Sequence, residues 1–325
     1  MDDLHRTATP AEIAAMRVQL QESLEAGALG LSTGLAYASA FNAETDEVLQ
    51  LSEELTAFGA VYTTHLRSEF EPVLEAMDEA FLIGRQARVP VIISHLKCAG
   101  AGNWGRSPHL LAALELAAQT HPVGCDCYPY AASSSTLDLK QVTDAFRITI
   151  TWSTPHPEVG GRDLQDIAAQ WGLSLLDTAR RLQPAGAVYY GMDESDVRRI
   201  LAHPLSMIGS DGLPDDPFPH PRLWGAFPRV LGHFSRDVGL FPLHTAVHKM
   251  TGLSAGRFGL KERGELREGN WADLVLFDAE KVRDVADFNV PQQAAEGIDG
   301  VWVNGVLSYQ QGVANGKRGG VFLAR

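Results

Sequence analysis

Helix-like and strand-like apolar patterns alternate along most of the chain. The first pattern predicts a helix, because Thr9 and Glu12 form a capping box, Pro10 suits the first helical position, and Gly27 supplies a stop. Between them, apolar residues recur at helical spacing. Three further helices are predicted over residues 45–58, 72–87 and 108–119.

Five short apolar runs between these helices are predicted to be strands. They cover residues 28–32, 61–65, 91–95, 123–128 and 207–211. β-branched runs of this length, buried on both faces, are typical of parallel strands, and their alternation with helices indicates βαβ units. Residues 135–205 are less regular, and only two helices are predicted there. Five strands are three short of a closed eight-stranded barrel.

The last part of the chain changes character at about residue 259. An apolar run over residues 274–277 and a second one over residues 301–303 predict strands, and Asn304-Gly305 predicts a tight hairpin turn. The sequence therefore predicts two parts, a partial barrel over residues 1–258 and a small β module over residues 259–325.

Composition and charge narrow the function classes. The chain has 27 basic and 40 acidic residues, and a net charge of −13 argues against a nucleic-acid surface. No apolar run approaches the roughly 20 residues that a membrane span requires. Three cysteines, an odd number, do not make a disulfide framework, and the first residues lack a secretory signal. A cytoplasmic protein is the expectation.

Three of the predicted strands end on residues that bind or serve metals. His65 and His95 close two successive runs, and Asp211 closes the last. Because the carboxyl ends of barrel strands converge on one mouth, these side chains could form a hydrolytic zinc site. Ligation of one ion would bring the two imidazoles within roughly 3–5 Å of each other. Each residue alone has a plainer interpretation, for Asp211 the capping of a turn.

Other polar residues near the same mouth suit an anionic substrate. Lys97 lies two positions after His95, Tyr128 closes the fourth run, and Arg222 follows Asp211 within a dozen residues. An arginine fork can bind a carboxylate through two parallel hydrogen bonds. Individually, each of these residues is also typical of an ordinary surface.

Two motifs point to other chemistries, and their sequence context disfavours both. Residues 30–34 read G-x-S-x-G, the nucleophile elbow of serine hydrolases, but the elbow requires an immediate helix and a loop follows here. Cys125 and Cys127 are not a C-x-x-C pair, so buried free thiols are expected.

Taken together, several segments resemble the N-acyl-D-amino-acid deacylases, or D-aminoacylases, of the amidohydrolase superfamily. The segments that carry the resemblance are residues 27–35, 64–69, 94–97, 127–130, 209–212 and 220–232, and, less specifically, 264–273. The resemblance implies an α/β fold, a (β/α)₈ barrel with a small β-sandwich. It also implies zinc-dependent hydrolysis of a small-molecule N-acyl-D-amino acid to a carboxylate and a free D-amino acid.

The resemblance further implies roles for individual residues. His65 and His95 would be zinc ligands, and Asp211 the base that activates water and protonates the leaving amine. The substrate carboxylate would be held by Lys97, Tyr128 and Arg222. Tyr37 and Ser134 would lie near the substrate.

One departure from the family pattern is important. Family members carry a His-x-His pair and a cysteine ligand upstream of every segment present here, and this chain has no His-x-His. The expectation is therefore a chain that lacks about three barrel strands, binds zinc weakly and could be inactive. Two alternatives stay open: another amidohydrolase acting on cyclic or linear amides, such as a hydantoinase-like enzyme, or a catalytically dead fragment.

Overall fold

The strands and helices of the protein are those of a computed structural model that describes residues 1–324. In chain order the strands are β1 Gly30–Gly34, β2 Val61–His65, β3 Val91–Ile93, β4 Val123–Cys127, β5 Ser133–Thr136, β6 Ile148–Ser153, β7 Ala185–Tyr189, β8 Ser206–Ile208, β9 Leu274–Phe277, β10 Ile298–Val303, β11 Val306–Gln310 and β12 Val313–Ala314. The helices are α1 Pro10–Glu25, α2 Thr45–Ser52, α3 Val73–Ala87, α4 Ser107–Ala118, α5 Leu164–Trp171, α6 Leu175–Leu182, α7 Glu194–Ala202, α8 Arg222–Arg229, α9 Leu243–Met250 and α10 Gly252–Arg257. A 3₁₀ helix, Glu53–Phe58, continues α2, and a π-helical segment, Val230–Asp237, continues α8. None of these helices is long and apolar enough to cross a membrane.

A parallel sheet of five strands forms the centre of the fold, as the sequence predicts. Its strand order is β1-β2-β3-β4-β8, and each neighbouring pair is parallel. Some strand ends differ from the prediction. β3 ends at Ile93 and β8 at Ile208, so the predicted last residues His95 and Asp211 lie in the loops that follow these strands. His65 remains the last residue of β2. The carboxyl ends of these strands therefore present their polar residues along one edge.

The first helix forms as the capping box predicts. The Thr9 hydroxyl accepts the backbone N–H of Glu12 at 3.3 Å, and a Glu12 carboxylate oxygen accepts the backbone N–H of Thr9 at 2.8 Å. Gly27 follows the helix with φ of +101°, a conformation that glycine adopts without steric cost. Both ends of α1 are thus determined by local chemistry.

The main core lies between the central sheet and the helices packed on it. Met77, Phe81, Leu110 and Leu114 from α3 and α4 are at most 2% exposed and belong to one apolar cluster with Tyr62 of β2. Burying a side chain of this size stabilises the fold by about 1.5–3 kcal/mol. The strand ends that carry the polar residues are therefore held on a rigid base.

A second unit, inserted between β4 and β8, is more regular than predicted. It contains the antiparallel sheet β5-β7-β6, with α5 and α6 packed on its own apolar core, and α7 follows it. The sequence predicts only two helices over residues 135–205, whereas the structure has three α-helices in this stretch and also the strands of this sheet, which the sequence does not predict. β5 is Ser133-Ser134-Ser135-Thr136, which has no apolar alternation, so the sequence gives little sign of a strand.

The C-terminal module contains the predicted strands and turn. Strands β9 to β12 form one antiparallel sheet in the order β12-β11-β10-β9. Asn304 and Gly305 have φ of +49° and +78°, which is typical of the tight turn that an Asn-Gly pair favours between β10 and β11. The proposed boundary after residue 258 falls just beyond α10, and residue 325 lies outside the described range.

Candidate metal and substrate site

One large cavity at the carboxyl ends of the central strands collects most of the predicted site residues. Its volume is about 1270 Å³, and it is lined by Tyr37, His65, His95, Lys97, Tyr128, Ser134 and Asp211, among others. The remaining predicted residue, Arg222, is buried directly behind Asp211. The structure thus brings together residues that are far apart in the chain.

The two histidines lie side by side. Their ring centroids are 4.5 Å apart, with the rings in an edge-to-face arrangement. His65 comes from the last position of β2, whereas His95 lies two residues beyond β3 and has φ of +41°. A left-handed conformation is uncommon for a residue other than glycine and is often found at functional sites. The spacing is short enough for both imidazoles to bind a single ion.

Burial keeps His65 neutral. Removal from water lowers the pKa of His65 to about 4, although Glu69 opposes this shift. Its Nδ1 is buried and has no hydrogen-bond partner among the described residues. A neutral imidazole with an unpaired nitrogen is ready to bind a cation.

Glu69 lies between the two histidines and was not predicted as a site residue. Its Oε1 is 2.9 Å from Nδ1 of His95, its Oε2 is 3.8 Å from Nε2 of His65, and it forms a short ion pair with Lys97. His65, Glu69 and His95 have ligand atoms that all lie within 4.8 Å of one another. Burial alone would raise the pKa of Glu69, but Lys97 and the two histidines outweigh it, so the pKa lies below its usual range.

Asp126 is a second carboxylate that the sequence reasoning missed. It lies in β4 between the two cysteines, and its Oδ1 accepts the backbone N–H of His95 at 2.8 Å. Burial raises the pKa of Asp126, with Asp211 acting in the same direction. The sequence did contain a signal for this residue, because Asp126 is a charged residue within an otherwise apolar strand. Side chains alternate along a strand, so that of Asp126 points to the face opposite the two neighbouring cysteines.

Arg222 and Asp211 form an ion pair at one wall of the cavity. Nη1 of Arg222 lies 2.8 Å from Oδ2 of Asp211, but the two groups are not aligned as a hydrogen bond. Nη2 of Arg222 donates to the carbonyl oxygen of Ser134 at 3.1 Å, and the guanidinium lies 4.6 Å from the centroid of the Tyr128 ring. With 1% of Arg222 exposed, this cation is held at a fixed position.

Several polar atoms around Arg222 lack partners. Nε of Arg222, the Tyr128 hydroxyl and the Ser134 hydroxyl are buried without a hydrogen bond among the described residues. Leaving a buried donor unpaired costs about 1–3 kcal/mol, so such groups usually face a ligand or ordered water. Lys97 also lies near Tyr128, with its Nζ 5.5 Å from the ring centroid. Together these groups form a place for an acceptor-rich, anionic group.

The structure gives no support to a serine nucleophile at residue 32. Ser32 lies in the middle of β1 and is not on a turn between a strand and a helix. The three cysteines are free and buried, as expected.

Comparisons with known proteins identify the family to which the chain belongs. The chain matches the amidohydrolase family over residues 1–309. It is 51% identical over 325 residues to a D-aminoacylase of Alcaligenes xylosoxydans xylosoxydans, covering 100% of this chain and 67% of that protein. The chain belongs to the D-aminoacylases of the amidohydrolase family. An N-acyl-D-aspartate deacylase of the same organism is 49% identical, over 100% of this chain and 65% of its own length.

A solved structure shows that this member of the D-aminoacylases also shares the fold of the family. The N-acyl-D-glutamate deacylase of Bordetella bronchiseptica, solved with zinc and a phosphonate inhibitor that mimics the tetrahedral intermediate, superposes with a TM-score of 0.97 at 46% identity. The match covers 100% of this chain and 69% of that one. The chain therefore spans about two thirds of the length of its relatives and shares their fold over that length.

Proposed function

We propose that this site hydrolyses N-acyl-D-amino acids to a carboxylate and a free D-amino acid. The proposal rests on one observation, namely that two paired imidazoles and several buried hydrogen-bond donors without partners lie at the same cavity. Paired imidazoles, His65 and His95, line this cavity together with Tyr128. Arg222 is buried directly behind Asp211 at the cavity wall. Arg222 and Tyr128 both have buried donors without partners among the described residues. The imidazoles suit an electrophilic metal, and the donors suit the α-carboxylate of an acylated amino acid.

The donor set fits zinc. His65 offers a buried Nδ1 that has no other partner among the described residues, and the ring of His95 lies 4.5 Å from the His65 ring between centroids. Neutral imidazoles are ordinary zinc ligands, and burial keeps His65 in that form. Zinc bound there would polarise the acyl carbonyl and lower the pKa of a coordinated water.

Asp211 is the proposed base and acid. Its carboxylate lines the same cavity as both histidines, at the end of the segment that follows β8. There it would take a proton from the attacking water and return it to the amine nitrogen that leaves. The ion pair with Arg222 fixes the direction of this carboxylate.

The substrate carboxylate is assigned to the groups around Arg222. Nε of Arg222 and the Tyr128 hydroxyl have no partner among the described residues, and Lys97 adds a second positive charge 5.5 Å from the centroid of the Tyr128 ring. Ser134 contributes a hydroxyl from the inserted sheet, and Tyr37 packs against His65 at 4.8 Å between ring centroids. An anchored carboxylate and an anchored acyl group leave only one direction for the side chain, which is the basis for selecting one enantiomer.

Substrate binding and hydrolysis by the purified chain test the proposal. With zinc added, N-acetyl-D-amino acids of apolar and acidic side chain should bind and release the free D-amino acid, and their L-enantiomers should do neither. D-selective binding without turnover would favour a substrate site on a catalytically inactive chain and contradict the hydrolytic proposal. The absence of both, or equal cleavage of both enantiomers, would contradict the site assignment itself.

A further inference from the structure

Glu69 is the common neighbour of the proposed metal ligands and of one proposed carboxylate-binding residue. The same oxygen, Oε1, lies 2.9 Å from Nδ1 of His95 and forms a short ion pair with Nζ of Lys97. All three side chains are sheltered, since the exposed fraction of Glu69 is 13%, of His95 12% and of Lys97 6%. In the part of the chain that the structure describes, Glu69 is the only carboxylate in ion-pair contact with either His95 or Lys97.

Two groups compete for the same nitrogen of His95. Nζ of Lys97 lies 2.7 Å from Nδ1, and Oε1 of Glu69 lies 2.9 Å from it. An ammonium can only donate a hydrogen bond, a carboxylate can only accept one, and a ring nitrogen does one or the other. Nδ1 therefore either donates to Glu69 or accepts from Lys97.

The outcome of this competition decides which nitrogen is available to a cation. If Nδ1 donates to Glu69, the neutral ring has its lone pair on Nε2, on the side away from Glu69. If Nδ1 accepts from Lys97, the proton of the neutral ring is on Nε2, which then has no lone pair to offer. A carboxylate behind a ligating histidine is a recurrent arrangement in metal sites, because it fixes both tautomer and ring orientation.

We propose that Glu69 is a positioning residue that prepares His95 to bind the metal and holds Lys97 for the substrate carboxylate. It accepts the Nδ1 proton of His95 and, through the same oxygen, keeps the ammonium of Lys97 from donating to that nitrogen. One carboxylate thus links the metal ligand to the substrate-binding cation. The inference rests on the proposed function for the identity of the ion and of the substrate group.

The test uses four variants of the full chain. Glu69→Ala removes the carboxylate, and Glu69→Gln keeps an acceptor oxygen without the charge. The double variant Glu69→Ala, Lys97→Met also removes the competing donor. Glu79→Gln is the control, because Glu79 has the same 13% exposure and a partly buried ion pair with Arg67, and has no hydrogen bond or ion pair with His95 or Lys97. Zinc affinity is measured by competition with a chromophoric chelator, and the tautomer of His95 by ¹H–¹⁵N correlation of its ring, assigned with His95→Gln.

The expected results separate positioning from general stability. Glu69→Ala should lower zinc affinity by about 10- to 100-fold and shift the His95 proton from Nδ1 to Nε2. Glu69→Gln should lose less, and the double variant should recover part of the affinity that Glu69→Ala loses. Glu79→Gln should bind zinc like the unchanged chain.

Three results would overturn the inference. These are an unchanged tautomer in Glu69→Ala, an equal loss of affinity in Glu79→Gln, or a double variant that binds zinc no better than Glu69→Ala. If the unchanged chain itself failed to bind zinc, the proposed function would be contradicted. The tautomer of His95 would then still decide the role of Glu69, because that measurement needs no metal.

Discussion

The backbone N–H of His95 donates to Oδ1 of Asp126 at 2.8 Å, and this hydrogen bond holds a histidine whose φ is +41°. The next residue is held by the same aspartate, since the backbone N–H of Leu96 donates to the Asp126 carbonyl oxygen at 2.8 Å. Asp126 therefore fixes the turn that carries His95 from the end of β3 into the cavity. A side chain in β4 stabilises a backbone conformation that His95 would not favour alone.

Removing this acceptor should destabilise the protein. Asp126→Ala leaves the partly buried N–H of His95 without its acceptor, so the free energy of unfolding should fall by about 1.5–3 kcal/mol. Asp126→Asn keeps an acceptor oxygen and should lose much less. Urea unfolding of the two variants measures the difference. An asparagine variant as unstable as the alanine variant would show that the hydrogen bond to His95 is not what Asp126 contributes.

Arg222→Ala should impair use of the substrate more than it impairs metal binding. The change removes charge-assisted hydrogen bonds to the substrate carboxylate, so kcat/KM for an N-acetyl-D-amino acid should fall by about 30- to 1,000-fold, or about 2–4 kcal/mol. Arg222→Lys keeps the positive charge but lacks the planar fork of the guanidinium. Its kcat/KM should therefore lie between that of the unchanged chain and that of Arg222→Ala. Retention of normal kcat/KM in Arg222→Ala would exclude this residue from the carboxylate site.

Asp211→Asn should separate proton transfer from metal binding. The amide cannot take the proton of the attacking water, so kcat should fall by about 10²- to 10⁴-fold. The two imidazoles are unchanged, so zinc affinity should stay close to that of the unchanged chain. Steady-state kinetics together with metal titration test both statements, and a near-normal kcat would remove Asp211 from the role of base.

The partly buried His65 should make the fold sensitive to acid. Burial lowers the pKa of His65 to about 4 from 6.5, so between these values the unfolded chain binds a proton that the folded chain does not. The free energy of unfolding therefore rises with pH across this window, and at about pH 5 His65 alone should cost about 2 kcal/mol relative to neutral pH. The measurement is the stability of the unchanged chain and of His65→Gln at both pH values. The variant should lose less on acidification, and an equal loss would contradict this account.

The fold and the site were predictable from the sequence to different degrees. His65 and His95 end apolar runs, so the rule that parallel strand ends converge was enough to place them together. Glu69 lies four residues beyond His65 in a loop, and nothing local shows that its side chain turns back between the histidines. Asp126 was not predicted for a different reason. A single polar residue in a strand does not indicate which backbone group its side chain will bind, here the N–H of His95. The serine-rich β5 lacks the apolar alternation on which strand prediction depends.

The first glycine of the G-x-S-x-G segment should prove structural. Gly30 pairs with Val61 in the parallel sheet, and a Cβ at Gly30 would lie 1.9 Å from the Val61 carbonyl oxygen. Because that atom is backbone, the strand itself must move, and Gly30→Ala should lower the free energy of unfolding by about 3 kcal/mol or more. Gly102→Ala is the matched control, since a Cβ at Gly102 would meet nothing within 4 Å. Ser32→Ala should keep hydrolysis intact, because no nucleophile is assigned to β1. Equal stability of the two glycine variants in thermal unfolding would refute the steric account, and loss of hydrolysis in Ser32→Ala would reopen the serine-hydrolase interpretation.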